Sequence, residues 1–154
     1  MLKLMSRFAV IGGIIASAFT FAPAAHADGY GCGGNLIDTY SIYTNDSSKI
    51  LYGHGYLYYD SSTGKNCGAV VATTAGGYGI SKTMYAGLVK CSDTSPGGSA
   101  CTNVLTRDDD GPASYQYYAG PVTVTSPNNC ITFQGTINYN GRSASFYAGR
   151  THCG

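Results

Sequence analysis

Residues 130–153 read CITFQGTINYNGRSASFYAGRTHC, and the fold can be read outward from this stretch. Ile131, Phe133 and Ile137 alternate with Thr132, Gln134 and Thr136, the period of a strand with one buried face. Asn140-Gly141 marks a two-residue type I′ turn, because both positions need positive φ. In the returning strand Ala144, Phe146 and Ala148 fall on the apolar face. With Tyr139 facing Arg142 across the turn, unbroken register sets Cys130 opposite Thr151. Cys153 lies two residues further on, an offset that one bulge or a frayed end closes.

Towards the N-terminus the same reading continues. Tyr115–Thr125 has strand character, with Gly120-Pro121 demanding an edge position or a bulge. Leu36–Tyr43, Ile50–Tyr59, Cys67–Thr74 and Lys82–Cys91 are four further strands, punctuated by the turn-rich Asp60–Asn66 and the loop Ala75–Gly79. Alternation puts Ile50, Tyr52, His54, Tyr56 and Tyr58 on one face of the second strand, and Leu51, Gly53, Gly55, Leu57 and Tyr59 on the other. The fourth strand alternates Met84, Ala86 and Leu88 against Tyr85, Gly87 and Val89. Residues 92–113 show the weakest pattern. Seven or eight short strands between turn signals predict an all-β fold, an antiparallel β-sandwich or small barrel.

Composition agrees. The 154 residues include 22 Gly, 14 Tyr, no Trp and no Glu, and the scarcity of strong helix formers excludes long helices. Lys3 and Arg7 precede an apolar run from Phe8 to Ala22, and Ala25-His26-Ala27 offers small residues at a cleavage site. This is the layout of a secretory signal peptide over 1–27, removed to leave a single all-β domain over 28–154. The run of 15 residues is short for a membrane span, which needs about 20, and no later segment is apolar enough to cross. Without Lys3 and Arg7 the domain has seven cations against eight aspartates, so nothing points to nucleic acid.

All six cysteines lie after the cleavage point. An even set in an exported chain reads as disulfides, with 15 connectivities open. Nearest neighbours in sequence bracket a hairpin or loop each, which favours Cys32–Cys67, Cys91–Cys101 and Cys130–Cys153. A metal site is the weaker reading, since no Cys-x-x-Cys pair occurs.

Candidate chemistry is sparse. His54 sits between glycines in Tyr52-Gly53-His54-Gly55-Tyr56, where a ligand could approach the backbone; its plainer reading is a histidine at the solvent edge between strand tyrosines. No nucleophile elbow appears, so no catalytic residue is assigned and no cofactor is expected. Asp108, Asp109 and Asp110 are a weak Ca²⁺ candidate, read more simply as a solvated acidic loop. The tyrosines are the largest chemical feature. Tyr52, Tyr56 and Tyr58 share one face, while Tyr115, Tyr117 and Tyr118 crowd another strand. Exposed phenol rings stack on sugars or form an interaction surface, and buried ones are core.

The segments Gln116-Tyr117-Tyr118-Ala119-Gly120-Pro121-Val122, Pro127-Asn128-Asn129-Cys130-Ile131 and His152-Cys153-Gly154 resemble the spore-associated protein family of filamentous actinobacteria. Cys32-Gly33-Gly34 before Leu36-Ile37-Asp38, and Thr63-Gly64-Lys65-Asn66-Cys67, extend the resemblance over most of 30–154. It implies a small exported protein found with aerial structures and spores, and brings no catalytic residues. Four of the cysteines are shared with that family, Cys91 and Cys101 are additions, and Phe133 stands near a position that is commonly Trp. The expectation is a secreted, non-enzymatic protein of the cell or spore surface with a Tyr-rich adhesive face. The alternatives are a module for extracellular polysaccharide, and an enzyme inhibitor presenting the Ser95-Pro96 loop. Expected partners are cell-wall or spore-surface components.

Overall fold

A computed structural model describes residues 29–154, so the expected signal peptide lies outside them. Eight strands follow in order: β1 (Asn35–Tyr43), β2 (Leu51–Asp60), β3 (Lys65–Ala72), β4 (Lys82–Cys91), β5 (Val104–Tyr115), β6 (Tyr118–Thr125), β7 (Ile131–Tyr139) and β8 (Arg142–Thr151). They form two four-stranded antiparallel sheets, ordered β1-β2-β3-β6 and β5-β4-β7-β8. The protein is therefore an all-β sandwich. No helix among the described residues is long and apolar enough to cross a membrane.

The β7–β8 hairpin keeps the expected register from Tyr139↔Arg142 to Phe133↔Ala148. Asn140 (φ 50°) and Gly141 (φ 71°) both take the positive φ that the turn demands. One bulge then shifts the pairing to Ile131↔Thr151 and brings Cys153 to Cys130. The other two disulfides join Cys32 to Cys67 and Cys91 to Cys101, so all three bonds link neighbours in sequence.

The core lies between the sheets. Phe133, Ile42, Leu57, Met84, Leu88, Ile131 and Ile137 are fully buried in it. It is built from rings set against missing side chains. Phe133 and Phe146 meet edge-to-face with centroids 5.0 Å apart, and Tyr40 stacks on Phe146 at 5.3 Å. A Cβ at Gly68 would sit 2.6 Å from the Phe133 ring, and one at Gly55 would sit 2.5 Å from Phe146. Glycines on β2 and β3 are thus the sockets for phenylalanines of the opposite sheet, so a chain poor in Leu still fills its interior.

Residues 92–113 depart from the expected loop, because their second half is the long edge strand β5. The acidic run lies within that strand rather than in a solvated loop. Asp108 Oδ2 accepts from the Thr123 N–H at 2.7 Å, and Asp110 Oδ2 accepts from the Gly120 N–H at 2.6 Å. Thr123 and Gly120 belong to β6, the edge of the other sheet. These carboxylates serve amides that have no neighbouring strand, and so they close one open side of the sandwich. Asp109 instead pairs with Arg107 at 2.6 Å and accepts from Tyr85 Oη at 2.5 Å. Strand β5 ends at Tyr115 and β6 begins at Tyr118, so the single strand expected over 115–125 is two pieces, with Pro121 on the edge.

The loop closed by Cys91–Cys101 is fastened at Asp93. Its carboxylate accepts from the Thr102 hydroxyl at 2.6 Å and the Thr102 N–H at 2.8 Å, and it also pairs with Arg150. The Thr102 bonds, with Arg150 behind them, hold this carboxyl down to about 2. An unfolded Asp titrates near ~3.9, so the fastening is complete above about pH 4 and is lost as pH falls towards 2. Protection of the Thr102 amide, measured against its intrinsic exchange rate at each pH, is expected to fall across that window, and Asp93→Asn should show the same low protection at neutral pH. Constant protection from pH 5 to 2 would contradict this reading.

Candidate interaction face

Side chains on β2 that point away from the core form the centre of an aromatic surface. Tyr58 lies opposite Cys67 on β3, and the Cys32–Cys67 bond ties the preceding segment across this outer face. A 3₁₀ turn, Gly29–Gly31, lies there. At Gly29 a Cβ would fall 1.9 Å from the Tyr58 hydroxyl, so a larger residue there would have to push the Tyr58 ring aside. Tyr30 takes φ 62°, an uncommon conformation for a bulky residue. That backbone lays its ring on Tyr56 at 5.3 Å and 20°, and against Tyr118 at 5.4 Å. His54 lies beside Tyr56, with ring centroids 5.8 Å apart.

Tyr78 and Tyr117 continue the surface, their rings edge-to-face at 5.0 Å. Burial raises the Tyr30 phenol above its ordinary pKa, and the nearby phenols of Tyr56, Tyr58 and Tyr78 add to the rise. The rim is open to solvent: Tyr78 is 52% exposed, Tyr117 47% and Tyr118 36%. Lys82 holds this rim from beneath. Its buried Nζ donates to the carbonyls of Gly77 (2.9 Å), Ile80 (2.9 Å) and Gln116 (2.7 Å), fixing both segments that bear Tyr78 and Tyr117. Burial also lowers the Lys82 pKa.

Two tyrosines expected on these faces lie elsewhere. A bulge in the β1–β2 pairing leaves Tyr52 as the extra residue between Gly53 and Leu51. The bulge interrupts alternation, and Tyr52 is buried against Tyr139, donating to its carbonyl oxygen at 3.4 Å. Tyr115 packs on the core and donates to Asp110 Oδ1 at 2.6 Å; burial and this carboxylate push its phenol up to about 12. Tyr30 and Tyr78, in contrast, join the surface from segments outside the expected strands. For Tyr30 a signal existed: pairing Cys32 with Cys67 already carries residue 30 towards Tyr58.

Several polar groups outside this face also find protein partners. No three His, Cys, Asp or Glu side chains gather as a metal site among the described residues. His152 Nε2 lies 3.3 Å from Asp38 Oδ2, and nearby Ser126 donates its hydroxyl to the Asn129 carbonyl at 2.5 Å. The Ser95-Pro96 loop is pinned to β8, where Gly97 N–H donates to the Arg150 carbonyl at 2.9 Å. Geometry thus defines a disulfide-braced β-sandwich with one aromatic face. Comparison with protein-family models, curated proteins and solved structures finds no match for this chain.

Proposed function

We propose that this protein is a secreted, non-enzymatic surface-association module that attaches through the outer face of the β1-β2-β3-β6 sheet. The observation behind this reading is the run of rings Tyr118–Tyr30–Tyr56–His54, with the Tyr78–Tyr117 pair on the same surface. A contiguous exposed apolar patch marks an interaction site, and phenol rings supply apolar area with a polar tip. Export is supported by three disulfides and by the leader-like first 27 residues. The resemblance to spore-associated proteins points to a cell or spore surface as the place of attachment.

The partner is a wall or spore-surface polymer. Solvent-open Tyr78, Tyr117 and Tyr118 favour polysaccharide, whose sugar rings stack on aromatic faces. Replacing all three by Ala should move the protein from the wall and spore fraction to the medium. It should also weaken retention on chitin, cellulose or peptidoglycan, whichever binds the unaltered chain, by about tenfold or more. Protein found only in culture fluid, without affinity for any of these surfaces, would sink the reading. Retention indifferent to the three substitutions would displace it from this face.

A further inference from the structure

A cavity of about 280 Å³ opens at the other end of the core, lined by Ile37, Tyr59, Asn66, Ser126, His152 and Cys153. Its floor holds an anomaly. Asn66 belongs to the row of β3 that faces the core, yet it is a carboxamide, only 1% exposed. Neither Nδ2 nor Oδ1 has a hydrogen-bond partner among the described residues. The strand's pairing to Tyr59 and Val124 engages only its main chain. Of the other polar walls, Ser126 donates its hydroxyl to the Asn129 carbonyl and His152 Nε2 lies beside Asp38. A leucine would fill this position without burying polar atoms, and buried polar groups ordinarily have partners.

We propose that this cavity binds a small neutral ligand bearing a cis-amide edge, such as a lactam, cyclic imide or cyclic dipeptide, and that Asn66 reads that edge. A carboxamide presents one N–H and one carbonyl oxygen side by side. An anion would satisfy only Nδ2, and an ammonium only Oδ1. A linear trans amide carries its N–H and C=O on opposite sides. A ring-held cis amide meets donor with acceptor and acceptor with donor at once, while its apolar remainder lies against Ile37 and Tyr59. The carboxamide lies behind the cavity lining, so a ligand engages it only as the side chains around it shift. This site is separate from the aromatic face, and its test is independent of attachment.

Titration of ¹⁵N-labelled protein with δ-valerolactam and with cyclo(Gly-Gly) is the direct experiment, with N-methyl-δ-valerolactam and cyclohexanone as controls. At least one cis amide should give saturable shifts centred on Ile37, Tyr59, Asn66, His152 and Cys153. N-methylation, which removes the donor, should weaken δ-valerolactam binding by about tenfold. Asn66→Leu should abolish the response while leaving the spectrum folded. Absence of saturable shifts with either cis amide, equal responses to δ-valerolactam and its controls, or undiminished binding in Asn66→Leu would each overturn the proposal. The N-methyl comparison uses the unaltered chain, so a folding defect in the variant cannot obscure the answer.

Discussion

Phe133→Ala is expected to cost about 3–5 kcal/mol of folding stability, read by urea or thermal unfolding. On a domain of this size that lowers Tm by roughly 10–20 °C. Phe133 is fully buried, edge-to-face with Phe146 at 5.0 Å and in contact with Tyr40 at 6.0 Å. Beneath it are Gly68 and Gly55, which have no side chain to move into the vacated space. The cavity therefore stays open, and the loss falls at the upper end of the usual range. Phe133→Leu keeps most of the volume and should cost less than half as much. A loss below about 1 kcal/mol for the alanine variant would mean that the glycine sockets do not shape this core.

Removal of the Cys32–Cys67 bond should have a comparable effect on stability and a second effect that no core variant shares. The bond closes a loop with a sequence separation of 35, worth about 4 kcal/mol in the chain-entropy model. Cys32→Ser with Cys67→Ser also releases the turn that lays Tyr30 on Tyr56 and Tyr118. Surface retention should fall with stability, and it should stay low under conditions where the variant is fully folded. The Cys91–Cys101 bond is the control, because it spans a separation of only 10 and joins none of the segments that carry Tyr30, Tyr56 or Tyr118. Its removal should cost about 3 kcal/mol and leave retention unchanged. Equal loss of retention in both double variants would separate attachment from the Tyr30 platform.

Much of the architecture is legible in the sequence. Period-two alternation marked β7, β8 and β4, and Asn140-Gly141 placed the tightest turn, because these signals act between residues one or two apart. Cysteine pairing followed from the same local logic, each bond closing the segment between neighbours. The aromatic surface was legible only in part. Tyr56 and Tyr58 lie where alternation puts them, whereas Tyr52 is turned inwards by a bulge that exists only because β1 pairs beside it. Residues 104–113 show only a weak strand pattern because β5 is an edge strand, mostly exposed and without an apolar row.

The chain by itself determined what depends on near neighbours: strand periods, the type I′ turn, the faces of β4 and β7, and a composition that leaves helices no support. Tertiary structure alone decided that Asp108 and Asp110 close a sheet edge, that Lys82 holds Tyr78 and Tyr117 in place, that Tyr30 completes a ring surface, and that Asn66 lies buried with its carboxamide unpaired. Each of these depends on partners far apart along the chain. Long-range packing sets such contacts, and no repeating local pattern encodes them.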